Sequence, residues 1–337
     1  MKKTRLFTLL AFSTILLTSC KTDFEINSKW KDITVVYGLL DQTDAVHYIK
    51  INKAFLGNGN ALEYAKIEDS SSYKGNLEVK LVETIGNVFT REIFFDTTST
   101  YNKVPGLFYY PHQVLYKSTE HLDQKAIYSL KVRNKITKNE ISSSTGLISD
   151  FSITKPRSST PTFEFKRSIT GEQNFTWISA ANGRRYQVTV KFYFKESSAP
   201  GDTLHRSIDW VLPSVKSNGT KGGEELSSSY LNEEFFVNCK NFIPYADAGK
   251  EADVASRQVE HVDFIFVVLG DEINTYMEVS EPSTGVIQEK PEYTNITNGI
   301  GILSCRYSKQ PLKKKLSSIT ETDLIAMGIK FVKNLHN

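Results

Sequence analysis

The chain has 337 residues, with 41 lysines and arginines against 38 aspartates and glutamates, and is 39% hydrophobic and 12% aromatic. So even a charge balance provides no field to draw in nucleic acid or an anionic bilayer surface, and the apolar content excludes a globally disordered chain. The length favours two domains.

The first element is a leader, residues 1–19. Lys2, Lys3 and Arg5 precede an apolar run from Leu6 to Leu17. That run is shorter than the roughly 20 residues a bilayer-spanning helix needs and has the layout of a secretory signal peptide. Leu17-Thr18-Ser19-Cys20 then resembles the bacterial lipoprotein cleavage box. The resemblance implies that Cys20 is acylated and becomes the first residue of the processed chain, an anchor rather than a reagent. Each buried CH2 of such an anchor contributes about 0.8 kcal/mol, and several chains hold firmly. Lys21-Thr22-Asp23-Phe24-Glu25 is similar to the acid-rich patch that follows the cysteine in surface-exposed Bacteroidetes lipoproteins, which implies display on the outer face of the outer membrane. Residues 20–31 read as a tether.

Strand patterns follow from residue 32 to 155, the expected N-terminal domain. ITVVYGLL (33–40) and HYIKINKAFL (47–56) are rich in β-branched residues. GNGNALEYAKIEDSSSYKG (57–75) reads as an insertion with a helical turn. NLEVKLVET (76–84) puts Leu77, Val79 and Leu81 on one face, and NVFTREIFF (87–95) follows across Ile85-Gly86 as a hairpin. GLFYYPHQVLY (106–116) contains Pro111, a sign of an edge strand or a break. AIYSLKVRN (126–134) turns Tyr128, Leu130 and Val132 inward, and EISSSTGLISDFSI (140–153) closes the series. Short strands at this spacing predict an antiparallel β-sandwich of immunoglobulin or fibronectin type. TKPRSSTPT (154–162), with two prolines, reads as the boundary.

The second domain, 156–337, restarts with FEFKR (163–167), QNFTWISA (173–180) and RRYQVTVKFYFKE (184–196), in which Tyr186, Val188, Val190, Phe192 and Phe194 share a face. LHRSIDWVLP (204–213) is placed beside them, and Trp177 is expected in the core. The spacing of Leu231, Phe235, Cys239 and Phe242 predicts a helix over 226–242, ended by Pro244. VEHVDFIFVVLG (259–270) is expected as a central strand and DEINTYMEVS (271–280) as a short helix. ITETDLIAMG (319–328) is expected as a helix capped by Thr320 or Thr322. The fold class is therefore mainly β, two antiparallel sandwiches, the second with inserted short helices.

Chemistry-bearing patterns are sparse. None of the six histidines has the spacing of a metal site. His121-x-Asp123 and His261-x-Asp263 each put a base and an orienter on one face of a strand, but surface pairs are the better reading. Gly299-x-Gly301 lacks the third glycine of a dinucleotide loop and reads as backbone punctuation, a site of positive φ or close approach. Cys239 and Cys305 are a candidate disulfide pair outside the cytoplasm, with two buried free thiols as the alternative. Asp96-Thr97-Thr98 and Asp202-Thr203-Leu204 resemble Bacteroidetes O-glycosylation sites, implying glycans on Thr97 and Thr203. LFYY (107–110), Trp30 and Trp210 are the aromatic candidates for stacking on sugars. No catalytic residue, metal or cofactor is assigned.

EVSEPSTGVIQEKPEYTNITNGIGILSCRYS (278–308), taken with the lipobox, resembles a group of Bacteroidetes outer-membrane lipoproteins of unknown function. Their C-terminal region carries Tyr-Thr-Asn-Ile-x-Asn-Gly-x-Gly-Ile-Phe-x-Ser-Arg. Tyr293, Thr294, Asn295, Ile296, Asn298, Gly299, Gly301, Ile302 and Arg306 match it. Leu303 replaces the usual Phe, and Cys305 the usual Ser, so a relative with Ser there cannot form the disulfide. The resemblance implies no catalytic residues. It implies an outer-membrane protein partner, some of these lipoproteins resembling partners of TonB-dependent receptors. The expected function is a non-enzymatic, membrane-anchored interaction module. The alternative is a surface glycan-binding lipoprotein.

Overall fold

The computed structural model describes residues 31–56, 60–107, 109, 112–168, 170–198, 201–281 and 292–333. The leader, Cys20, the tether up to Trp30, and Pro111 lie outside the described residues. The chain is mainly β, arranged in several sheets, because segment after segment buries every second side chain, the period of a strand with one covered face.

In the first half, β1 (Lys31–Leu40) and β2 (His47–Leu56) pair antiparallel. Two short helices follow, α1 (Ala61–Ala65) and α2 (Glu68–Ser71), in the expected insertion. β3 (Leu77–Ile85) and β4 (Val88–Phe94) form the expected hairpin. Its turn holds Gly86 and Asn87 at φ 58° and 64°, the left-handed pair that lets two residues reverse a right-twisted ribbon. Then come β5 (Asp96–Thr100), β6 (Gln113–Ser118), β7 (Ile127–Asn134) and β8 (Glu140–Gly146). Leu77, Val79 and Leu81 of β3, and Tyr128, Leu130 and Val132 of β7, are buried as the alternation requires.

The second half begins with β9 (Ile153–Lys155), β10 (Thr162–Phe163), β11 (Glu172–Ile178), β12 (Arg185–Ser198), β13 (Thr203–Val211) and β14 (Val215–Lys216). β15 (Glu225–Leu231), α3 (Glu234–Phe242) and α4 (Ala248–Asp253) lead to the long β16 (Val254–Leu269). α5 (Asp271–Ser280), β17 (Ile300–Ser308), β18 (Leu312–Leu316) and α6 (Ser318–Ala326) complete the described chain. Trp177 is fully buried beside Tyr186 and Phe266. No helix among the described residues is long and apolar enough to cross a membrane.

Two helix assignments are corrected. The helix expected over 226–242 starts only at Glu234, because Leu226, Ser228 and Tyr230 alternate inward and pair along β11 as a strand. The cap of α6 is Ser317, whose Oγ accepts from the Thr320 amide at 3.2 Å. Thr320 itself is buried, bonded to the backbone of Phe165.

Among the described residues, β4-β3-β7-β8 and β15-β11-β9 form two smaller sheets. The third, of eleven strands, draws on both sides of residues 154–162, in the order β10-β18-β16-β17-β1-β2-β6-β5, with β12 on β16 and β13 and β14 on β12. The joint is β17. It runs parallel to β1 from Val35↔Ile300 to Leu40↔Cys305, and its last residues, Arg306 to Ser308, turn onto β16 antiparallel.

Candidate functional site

The C-terminal motif holds this joint together. Gly301 has φ 108°, and a Cβ there would lie 2.0 Å from the Val36 carbonyl oxygen; a Cβ on Gly299 would meet the Thr34 carbonyl oxygen at 2.8 Å. Both glycines let β17 approach β1 where a side chain has no room. Asn295 clamps the backbone of one residue, Leu303, through both of its flanking peptides. Its Nδ2 donates to the Leu303 carbonyl at 2.6 Å, and its Oδ1 accepts from the Leu303 amide at 2.9 Å. Asn298, in the left-handed region, donates to the Glu140 carbonyl, and the Asn295 carbonyl accepts from Ser143. Arg306 Nε and Nη2 reach Asp41 and Asp44 at 3.1 and 2.9 Å. The buried Asp41 also accepts from Thr43 and the Ser308 amide. Tyr293 is half-buried near α5, where burial and then the charge of Glu272 push its phenol up. These contacts fasten β17 and the residues before it to β8 and to the turn after β1.

A second polar cluster is centred on β16. Arg257 is fully buried on β16. It donates to Glu196 at 3.0 Å, to both oxygens of Glu251 at 2.8 and 2.6 Å, and to the Ile329 carbonyl at 3.0 Å. Glu196 also accepts from Arg206 and Tyr245. Every charge in this cluster is paired, as a buried ion must be. The cluster ties α4 and residues 329–332 to β16.

A cavity of about 560 Å³ is a cleft on the outer face of β1 and β2. The pleat that sends Val36, Ile49 and Ile51 into the core turns Val35, Tyr37, Lys50 and Asn52 outward. Val35 faces Asn52 and Tyr37 faces Lys50 across the ladder, forming the floor. One wall is α1 and α2, held down by Asn52 Nδ2 on the Ser71 carbonyl at 3.1 Å and Lys53 Nζ on the Asp69 carbonyl at 3.2 Å. The other wall contains Lys103, Leu107, Tyr109 and His112. It is joined to the first by the Tyr109 amide on the Ala65 carbonyl at 2.8 Å and by His112 on Glu68 at 3.3 Å. The His112 ring packs edge-on against Tyr109. Lys103 donates to the Tyr109 carbonyl; burial, and then the like charge of Lys50, hold its pKa below the ordinary lysine value.

The other sequence candidates are distributed as follows. Leu107 and Tyr109 of LFYY line the cleft. Trp210 is withdrawn as a stacking surface, being buried against Phe165 and Tyr230 in the aromatic core. His121 and Asp123 are in the loop before β7, not on a strand, so alternation does not align them. Asp123 caps its own turn through Lys125 N, and the His121 carbonyl accepts from Arg91. His261 and Asp263 do approach, at 3.8 Å, but His261 stacks flat on Tyr193 with centroids 4.4 Å apart. Thr97 and Thr203 are exposed, on β5 and β13. Cys239 and Cys305 are free, buried thiols, so the candidate disulfide is not formed. The cleft lysines carried no signal in the sequence, since Lys50 and Lys53 lie on β2 and Lys103 in a segment some fifty residues further on.

No family model matches the chain, and no curated protein matches it. Among solved structures, it aligns with the C-terminal globular domain of an oligosaccharyltransferase from Pyrococcus abyssi at 9% identity and TM-score 0.26. The alignment covers 85% of this chain and 50% of that one, so the chain spans about half the length of that structure. So loose a likeness carries no statement about function.

Proposed function

We propose that this protein is a lipid-anchored outer-membrane module that binds without catalysis, presenting the β1–β2 cleft to a ligand or to an outer-membrane protein partner such as a TonB-dependent receptor. The cleft is the observation that carries the reading. Its volume, its mixed apolar and cationic lining, and its place on a sheet face braced by two short helices suit a preformed binding site. β1 starts eleven residues after Cys20. An extended chain covers about 3.5 Å per residue, so the start of β1 lies within about 40 Å of the anchor, and the cleft begins four residues further on at Val35. Residues 32–155 and 156–337 are two sandwich units in this reading, stitched by β17. Glycans on the exposed Thr97 and Thr203 fit display outside the cell. Surface glycan binding is the second reading, favoured by Tyr37 and Tyr109 in the cleft and the exposed Tyr101 near His112.

The test is fractionation with protease shaving of intact cells. Wild type is expected in the outer-membrane fraction and is cut from outside, while Cys20→Ala is released to the soluble fraction. Wild type found soluble, or Cys20→Ala retained in the membrane, refutes the anchor. A pull-down from solubilised membranes then reads the partner, and recovery of no stoichiometric protein counts against the receptor.

A further inference from the structure

We infer that the cleft takes a small amphipathic anion, an acyl-carboxylate type of ligand whose apolar body lies along Val35, Ala54, Leu62 and Leu107 and whose head meets Lys50 and Lys103. The inference rests on reading this cleft as the binding site and names what fills it.

The charge inventory of the lining decides the sign. Lys50, Lys53 and Lys103 face a single acid, Glu68. Glu68 is already engaged by His112. Lys53 is also committed, to the Asp69 carbonyl and over the Tyr73 ring at 5.1 Å. Among the described residues, the Lys50 ammonium makes no hydrogen bond or ion pair, and that of Lys103 donates only to a backbone carbonyl. Two half-buried ammonium groups with no acid between them repel, and an anion placed there relieves both the repulsion and the cost of partial burial. The depressed pKa of Lys103, from burial and then from Lys50, is the trace of that unmet demand.

The walls decide the rest. Val35, Ala54, Leu62, Ala65 and Leu107 supply alkyl surface, and Tyr37 and Tyr109 add ring surface. A bare inorganic anion would leave them wet. A neutral sugar would leave the two ammonium charges uncompensated, since the lining's only carboxylate is taken. An apolar body with one anionic head satisfies both halves of the site.

The test is isothermal titration of detergent-free Cys20→Ala full-length protein at pH 7. Four probes are compared below their micelle concentrations: decanoate, decyltrimethylammonium, octyl glucoside and acetate. Decanoate is expected to bind at least tenfold more tightly than each of the other three. In Lys50→Gln/Lys103→Gln, with thermal unfolding unchanged, decanoate affinity is expected to fall at least tenfold and its preference over decyltrimethylammonium to vanish. Equal binding of the three long-chain probes overturns the anionic head while leaving the cleft a binding site. Tight acetate binding overturns the apolar body. Decanoate binding untouched by the double variant overturns the location. Binding of no probe overturns the ligand class, and membrane fractionation then judges the anchored module separately.

Discussion

Replacing Gly301 by alanine tests whether the C-terminal motif is a joint. Two costs add at this position. Alanine at φ 108° sits in a backbone region that side chains avoid, a strain of about 1–3 kcal/mol. The new Cβ also lies 2.0 Å from the Val36 carbonyl oxygen, and overpacking against backbone costs about 1–3 kcal/mol more. The sum, about 2–6 kcal/mol, is a large part of the 5–15 kcal/mol that ordinarily separates folded from unfolded chains. Gly86 is the control. It has φ 58°, but a Cβ there meets nothing within 4 Å, so Gly86→Ala carries only a strain of about 1–2 kcal/mol. Urea unfolding followed by fluorescence of the buried Trp177 compares the two. Gly301→Ala should lower the midpoint distinctly more than Gly86→Ala, with protection of β1 amides lost first in hydrogen exchange. Equal midpoints would refute the close-approach argument, because the clash is the main difference between the two sites.

Acid sensitivity should report the Arg257 cluster. The Arg257 guanidinium, hydrogen-bonded to Glu251, holds that carboxyl below its ordinary value of 4.5. A carboxylate depressed by folding stabilises the folded state above its unfolded pKa, and that stabilisation is lost as pH falls through the folded pKa. Glu251→Gln should therefore be less stable than wild type at pH 6 and lose less on acidification below 4.5; parallel curves of melting temperature against pH would contradict the assignment. Burial raises the Cys305 thiol to about 12, with Glu272 adding to the effect, and also raises Cys239. In Cys20→Ala protein at pH 8, a thiol reagent should label neither until denaturant is added and then label both. Rapid labelling of the native chain, or none after denaturation, would overturn the free buried thiols.

The strands were readable where one face is covered. Tyr186 to Phe194 alternate in the sequence and are buried as a row in β12. The same local logic failed at 226–231, where Leu-Ser-Ser-Ser-Tyr-Leu satisfies a two-residue period as well as the Leu231–Phe235–Cys239 stripe satisfies a helical one. Pairing with β11 settled the contest. The glycines of the motif were legible as sites of positive φ or close approach, but not what they approach. Val36 and Gly301 are far apart in the chain, and no local pattern announces a parallel partner at that distance. The cleft was hidden for the same reason. Lys50, Glu68 and Lys103 become neighbours only after β2, the helical insertion and the segment before β6 have assembled, and each alone looks like ordinary surface charge.

The parallel pairing of β1 with β17 also sets an order of events. β1 cannot gain its parallel neighbour until residue 300 is free to fold against it. Contacts so distant in sequence form late and slowly. A chain that folds from its N-terminus would therefore wait with one edge of β1 open. An open edge is where strands from other molecules add. Loss of the last forty residues would then do more than shorten the protein: it would leave a bare strand edge on every copy, turning a truncation into a seed for clustering.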